Sequence, residues 1–155
     1  MIEKVKAYFK EFDLDQRIQE FSQSSATVLD AANALKTEPK RIAKTLAFRS
    51  DALALLVVCA GDARVDNVKF KTAFNMKARM LNPEEILELV GHAIGGVCPF
   101  GIPDTCLVYL DASLQRFETV FPACGSSNSA IEMNLDELIR YSKSLGWVDV
   151  CKDWI

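Results

Sequence analysis

The alternation of helical and extended patterns predicts a mixed α/β domain, with hairpins rather than a strict βαβ repeat. Three observations carry that prediction. Val5, Tyr8, Phe9 and Phe12 recur with helical spacing. Two apolar runs, Ile42–Arg49 and Leu53–Cys59, are separated only by a short polar break, as in a hairpin. Asn82 and Asn134 each precede an apolar helical stripe and have a Glu three residues on, the pattern of a reciprocal cap.

Taken in order, the first dozen residues read as an amphipathic helix and Arg17–Phe21 as a short strand. A polar turn, Ser22–Ser25, leads to a second helix in which Thr27 and Asp30 could form a capping box. Val28, Ala31, Ala32 and Leu35 make its buried stripe, and the small alanines suggest close packing on a sheet. Glu38–Arg41 is a polar break. In the extended stretch that follows, Ile42, Lys44, Leu46 and Phe48 share one face, and Ala43, Thr45, Ala47 and Arg49 the other. A lysine among large apolar residues is unexpected, since lysine is almost never fully buried without a partner. Either this face opens on a cavity or an anion, or the strand is an edge and Lys44 snorkels to water.

Leu53–Cys59 is apolar on both faces and reads as a central strand. Gly61–Asp62 opens a polar loop, Asp66–Phe74 reads as a helix and Ala78–Leu81 as a short strand. Asn82, Pro83, Glu84 and Glu85 start a helix through Ile86, Leu89 and Val90, with Gly91 as its left-handed stop. Thr105–Leu110 is a further strand, Asp111–Leu114 a turn or short helix, Phe117–Phe121 a strand, Ala123–Asn128 a polar loop and Ala130–Met133 a last strand. The final helix is expected to bury Leu135, Leu138, Ile139 and Leu145 and to close at Gly146, with Trp147 and Trp154 folded back on the core. At 155 residues this is one domain, 1–155.

Half of the residues are hydrophobic and a quarter charged, a globular composition. A net charge of −3 argues against retention on nucleic acid by bulk electrostatics. The charge is unevenly divided: residues 1–80 carry 14 basic and 10 acidic side chains, residues 81–155 carry 4 and 11. A basic half could meet a few phosphates locally. The five cysteines are widely spaced without a CxxC pair, which supports neither a zinc knuckle nor a thioredoxin-type redox site and fits a reducing compartment. Cys59 and Cys106 are expected to be buried thiols. The longest apolar run, Ala52–Ala60, is far short of the ~20 residues that span a bilayer, and the charged N-terminus lacks a secretory core. The expected location is the cytoplasm.

Gly91–Gly101, GHAIGGVCPFG, holds four of the seven glycines and the single histidine. It is neither a P-loop nor a dinucleotide fingerprint. Such a loop can present backbone N–H groups to an anion or an oxyanion, and a tight crossover would look similar. His92 and Cys98 could form a hydrolase pair. His92 is expected instead to meet the terminal carbonyls of the preceding helix, and Cys124 to be a loop residue. No cluster of metal ligands is apparent.

Several stretches together resemble one family. They are TVLDAANAL (Thr27–Leu35), IAKTLAF around Lys44, GDARVD (Gly61–Asp66), GGVCPFG (Gly95–Gly101) and the ACG…IEMNLDEL region from Ala123 to Leu138. The chain is similar over most of its length to the YbaK and prolyl-tRNA-synthetase-associated editing domains, deacylases that clear mischarged aminoacyl-tRNA. The resemblance implies a barrel-like mixed β-sheet surrounded by helices, and a free-standing hydrolase cleaving the aminoacyl ester at the tRNA 3′ adenosine. It implies Lys44, Gly95 and Gly96 as catalytic residues, with the glycine N–H groups facing the developing oxyanion. Thr45, Val97, Pro99, Gly125 and Ser126 would surround the substrate. No metal or cofactor is implied. The partners would be mischarged aminoacyl-tRNA and an aminoacyl-tRNA synthetase, with no DNA and no membrane. Two departures stand out: Cys98 where the family often has serine, and Ser127–Asn128 where an Arg-Gly pair is common. The alternatives are a non-catalytic module binding aminoacyl-tRNA or a synthetase, and a cysteine hydrolase using Cys98.

Overall fold

Residues 1–23 and 27–155 are described by the computed structural model. The chain opens with helix α1 (Ile2–Lys10), which buries Val5 and Phe9. Phe12 lies just beyond the helix and packs its ring on Tyr8 and Tyr141. The strand expected at Arg17–Phe21 shrinks to β1 (Gln19–Glu20), because Asp15–Arg17 forms a 3-10 turn. Arg17 there grips both carboxylate oxygens of Glu137, at 2.6 and 3.1 Å. The turn expected at Ser22–Ser25 lies partly outside the described residues. Helix α2 (Val28–Leu35) starts at Thr27, whose hydroxyl accepts the Asp30 N–H at 3.1 Å, and buries Ala31 and Ala32.

Strands β2 (Ile42–Ser50) and β3 (Leu53–Ala60) form the central hairpin, turning at Asp51 with φ of 55°. Residues Ala54 to Ala60 are at most 2% exposed, so both faces of β3 are covered. That explains a run with no polar alternation. After β4 (Arg64–Val65), helix α3 (Asn67–Phe74) is capped by Asp66, which accepts the N–H groups of Val68 and Lys69. The segment expected as a strand at Ala78–Leu81 forms only a single bridge, Phe48 to Met80. Helix α4 (Pro83–Leu89) carries the full capping box of Asn82 and Glu85, and Gly91 follows it at φ 87°.

Strand β5 (Leu107–Asp111) runs into a 3-10 turn, Ala112–Arg116. The fully buried Asp111 carboxylate accepts the Ser113 and Val150 N–H groups there. Strand β6 (Thr119–Pro122) follows. The expected Ala130–Met133 strand divides into β7 (Ser129–Ala130) and β8 (Met133–Asn134), which pair with different partners, β1 and β6. Helix α5 (Leu135–Ser142) has the second capping box, of Asn134 and Glu137.

The end of α5 departs from expectation. Lys143 adopts φ 53° and closes the helix, three residues before Gly146. The Leu145 N–H then donates to Val108 O, and Leu110 donates back to Gly146 O, drawing the chain into β9 (Trp147–Val148) at the sheet edge. Leu145 is therefore 59% exposed, and Ile139, on the outer side of α5, is 37% exposed. The last strand, β10 (Cys151–Lys152), pairs with β4. Trp147 and Trp154 both pack against the core as expected, Trp154 beneath the Arg116 guanidinium.

The main sheet has six strands in the order β8-β6-β2-β3-β5-β9. The β2–β3 and β6–β8 pairs are antiparallel, whereas β2–β6, β3–β5 and β5–β9 are parallel. The sheet curls into half a barrel with the five helices around it, matching the expected class. Among the described residues, no helix is long and apolar enough to cross a membrane.

Candidate active site

The site grows out of an incomplete pairing along β2. On the side away from β3, only Ile42 and Ala43 pair with β6. Further along, Leu81 donates to Ala47 O and Arg49 donates to Arg79 O. Lys44, Thr45 and Leu46 are left between these two contacts. Residues 47 and 49 direct their peptide groups to this side, so by alternation Thr45 does as well. A cavity of about 290 Å³ fills the gap.

All six residues from Ile42 to Ala47 line that cavity, because it straddles an open strand edge instead of one face. Lys44 thus combines parts of both expectations: it lines a cavity, and it does so at an unpaired stretch of strand edge. It is half-buried and joins no ion pair among the described residues. The Thr45 hydroxyl is buried and has no hydrogen-bond partner among the described residues; an unsatisfied buried polar group costs about 1–3 kcal/mol. The remaining walls are mostly apolar: Val28 and Ala31 of α2, Leu81, Ile86 of α4, Phe121 of β6 and Ala130 of β7.

Gly95, Val97 and Ser126 line the cavity from the two loops. Gly95 has φ of 93°, a conformation that favours glycine. Gly96 stands behind it for another reason. A methyl group on Gly96 would lie 2.6 Å from the Ser126 nitrogen, so the two loops touch backbone to backbone. The Gly96 N–H donates to Ala93 O at 3.1 Å and closes its own turn. It does not face the cavity in this conformation, contrary to the expected glycine pair of donors. Gly125, at φ 89°, is packed against the Met1–Ile2 backbone. It supports the second loop from behind. Ser126 Oγ meets Ser129 Oγ at 2.6 Å and Asn128 Oδ1 at 3.0 Å, so Asn128 orders the loop. Pro99 lies elsewhere, in a separate 170 Å³ cavity beside Tyr8 and Tyr141.

His92 and Cys98 do meet, with Sγ 3.5 Å from Nε2, but both are fully buried. Phe100 O, which can only accept, sits 2.9 Å from Nε2. The Nε2 therefore carries the hydrogen and cannot take a proton from Cys98. Burial lowers the His92 pKa and pushes the Cys98 thiol up to about 12. This is a packed pair, not a nucleophile and base. His92 also differs from its expected role, since it binds the Phe100 carbonyl and not those of α4. Cys124 is likewise buried, its thiol pKa raised by burial, and Cys106 is half-buried, donating to Leu89 O. Among the described residues, no three His, Cys, Asp or Glu side chains gather as metal ligands.

Sequence reasoning missed Thr27, Val28, Met80, Ile94, Phe121 and Ser129 as cavity residues. Only the alanines of α2, read as a close-packing surface, hinted at one wall.

The model of the aminoacyl-tRNA editing domain matches residues 22–141. The chain belongs to this family. This editing domain is 51% identical over 154 residues to YwhH of Bacillus subtilis (strain 168), an uncharacterized protein, covering 99% of this chain and 98% of that one. It is 22% identical to a proline–tRNA ligase of Listeria innocua over 108 residues, which are 68% of this chain and 19% of the ligase. Among solved structures, a candidate trans-editing enzyme for prolyl tRNA synthetase superposes with a TM-score of 0.88 at 28% identity, covering 97% and 96% of the two chains. The hypothetical protein APE2540 gives 0.84 at 27% identity, covering 96% and 99%.

Proposed function

We propose that this editing domain is a hydrolase that cleaves the ester between a wrongly attached amino acid and the terminal ribose of a tRNA. The observation that carries the reading is the open edge of β2. Among the described residues Lys44 enters no ion pair and the buried Thr45 hydroxyl has no hydrogen-bond partner, and both residues line a mostly apolar cavity together with Gly95. At about 290 Å³ the cavity is at the small end for ligand sites. It suits an aminoacyl group, with the nucleoside left at the mouth.

An ester needs little activation, so orientation and charge stabilisation can supply much of the acceleration. Water adds to the carbonyl carbon, negative charge gathers on the carbonyl oxygen, and the C–O bond to the ribose breaks. The ribose oxygen takes up a proton, leaving a free amino acid and a tRNA with an intact 3′ end. The Gly95 N–H and the Lys44 ammonium would face the oxyanion or the nearby ribose, and the vicinal ribose hydroxyl would relay the proton from water. The Thr45 hydroxyl would hold the polar end of the amino acid. The apolar walls would select by size, which rejects larger side chains better than smaller ones.

The ligase relatives and the trans-editing neighbour make tRNA for proline the first substrate to test, with a synthetase as partner. The experiment is deacylation of that tRNA charged with Ala, Cys, Ser or Thr. Wild-type protein is expected to accelerate hydrolysis of at least one, and Lys44→Ala to lose at least a hundredfold. Full activity in Lys44→Ala overturns the reading. Protection of the ester by wild-type protein would identify a binding module instead.

A further inference from the structure

We propose that the segment Lys77–Met80 and the adjoining face of α3 form a track for the single-stranded 3′ end of the tRNA, leading it from the cavity to a basic groove. The proposal rests on the hydrolase reading above, since it assumes that the ester sits at Lys44 and the nucleotide leaves by the mouth.

The mouth is apolar and exposed. Met80, from the segment bridged to β2, and Ile94, from the glycine-rich loop, both line the cavity while remaining 60% and 67% exposed. Large apolar side chains in such a position offer a surface to the flat face of the terminal base. Base stacking against protein side chains contributes to single-strand binding without reading sequence.

Beyond Met80 the charge is of one sign. From Asn67 to Pro83 the sequence has Lys69, Lys71, Lys77 and Arg79 and no carboxylate. Lys69 is engaged by Asp149 and by Cys151 O. Lys71, Lys77 and Arg79 are exposed and enter no ion pair among the described residues. Lys71 and Lys77 line an open groove of about 640 Å³ with Thr72, whose hydroxyl already donates to Val68 O, and Asn75, whose neutral amide can also meet phosphate or sugar. The two features are joined by the chain itself. Lys77 and Met80 are three residues apart, roughly 10 Å in an extended segment. Arg79 O is fixed to β2 by the Arg49 N–H at 2.8 Å, so the segment is already held. Beyond Met80 the chain thus offers three exposed cations that enter no ion pair among the described residues, two of which, Lys71 and Lys77, line the groove. This local patch lies in the basic half of a chain whose net charge is −3. It explains how an acidic protein can hold RNA over a short distance.

The test combines Lys71→Ala, Lys77→Ala and Arg79→Ala. Binding of uncharged tRNA is measured at several salt concentrations, with and without its terminal CCA. For wild-type protein, removing CCA is expected to weaken binding at least tenfold. The triple variant should bind intact tRNA at least tenfold more weakly, with its salt slope reduced by about two to three. Arg79→Lys, which keeps the charge, should bind as wild type. An unchanged affinity and slope in the triple variant, with an unchanged thermal midpoint, overturns the track. So does a variant that keeps tRNA but loses a prolyl-tRNA synthetase, which would make the face a protein contact. Binding needs no turnover, so the two readings fail separately. A wild-type protein that hydrolyses nothing yet shows these binding losses retains the track without the hydrolase. One that hydrolyses charged tRNA with the same KM in the triple variant retains the hydrolase without the track.

Discussion

At position 45 a threonine hydroxyl is buried with no hydrogen-bond partner among the described residues, and its neighbour Lys44 lines the same cavity. An unsatisfied buried hydroxyl is a cost in stability that a hydrogen-bonding partner can recover. Thr45→Val keeps the shape and removes the hydroxyl. It is expected to raise the stability of the free protein by about 1 kcal/mol and to reduce deacylation at least tenfold. Urea unfolding and kcat/KM measured on the same preparation check the two opposed effects; a loss of both would mean the hydroxyl has a structural partner. Lys44 was legible in the sequence because a lysine among Ile42, Leu46 and Phe48 violates the apolar pattern. Thr45 carried no such signal, since threonine is ordinary in a strand. That it lacks a partner among the described residues depends on the fold.

Among the elements, the caps at Asn82 and Asn134 could be read from sequence because each bond spans only three residues. The contact between the two site loops could not, because it joins Gly96 to Gly125 and Ser126, some thirty residues later. The glycine-rich loop announced that glycines were needed but not what they approached. Gly96→Ala tests this contact. With its new methyl 2.6 Å from the Ser126 nitrogen, the loops must part. A loss of about 1–3 kcal/mol is expected, with deacylation reduced at least tenfold. Thermal unfolding and activity check it; an unaltered midpoint would show that the second loop yields freely. The edge segment at Ala78–Leu81 was legible as extended, but its single bridge was not. The opening it leaves is decided by how far β6 reaches along β2, and no local pattern records that.

For the molecule as a whole, the buried titratable groups set how stability depends on pH. His92 is neutral when buried, and its lowered pKa means that the unfolded chain binds a proton first as the pH falls below about 6.5. Stability is therefore expected to fall with pH from about 7 towards the folded His92 pKa. The lowered carboxylates of Asp62 and Glu137, held by Arg116 and Arg17, act later. Their contribution is present above the unfolded carboxylate pKa, near 4, and is lost as pH falls through the folded values. On the alkaline side, Cys98 stays protonated to about 12. Its stabilisation is complete below the unfolded thiol pKa of about 8.5 and is lost as pH rises from there to the folded value. Urea midpoints between pH 5 and 10 should form a dome, with His92→Gln flattening the step between 7 and 5.5. An unchanged step in that variant would remove His92 as its source. The class of fold was legible at this scale from the order of apolar runs. The unequal charge of the two halves also pointed to a basic side, but which cations were already engaged required the three-dimensional pairing.

The unpaired stretch of β2 has one more consequence, for the protein's behaviour in concentrated solution. Exposed strand edges can recruit strands from other molecules and start aggregation. Among the described residues, the backbone left free between the β6 pairing and the Met80 bridge is Lys44–Leu46. Such an edge is too short for a partner strand to gain a useful ladder, and it is closed at both ends by the molecule's own pairings. A charged side chain guards it in addition. A gap wide enough for one small molecule can thus remain open without offering a template to a neighbouring chain.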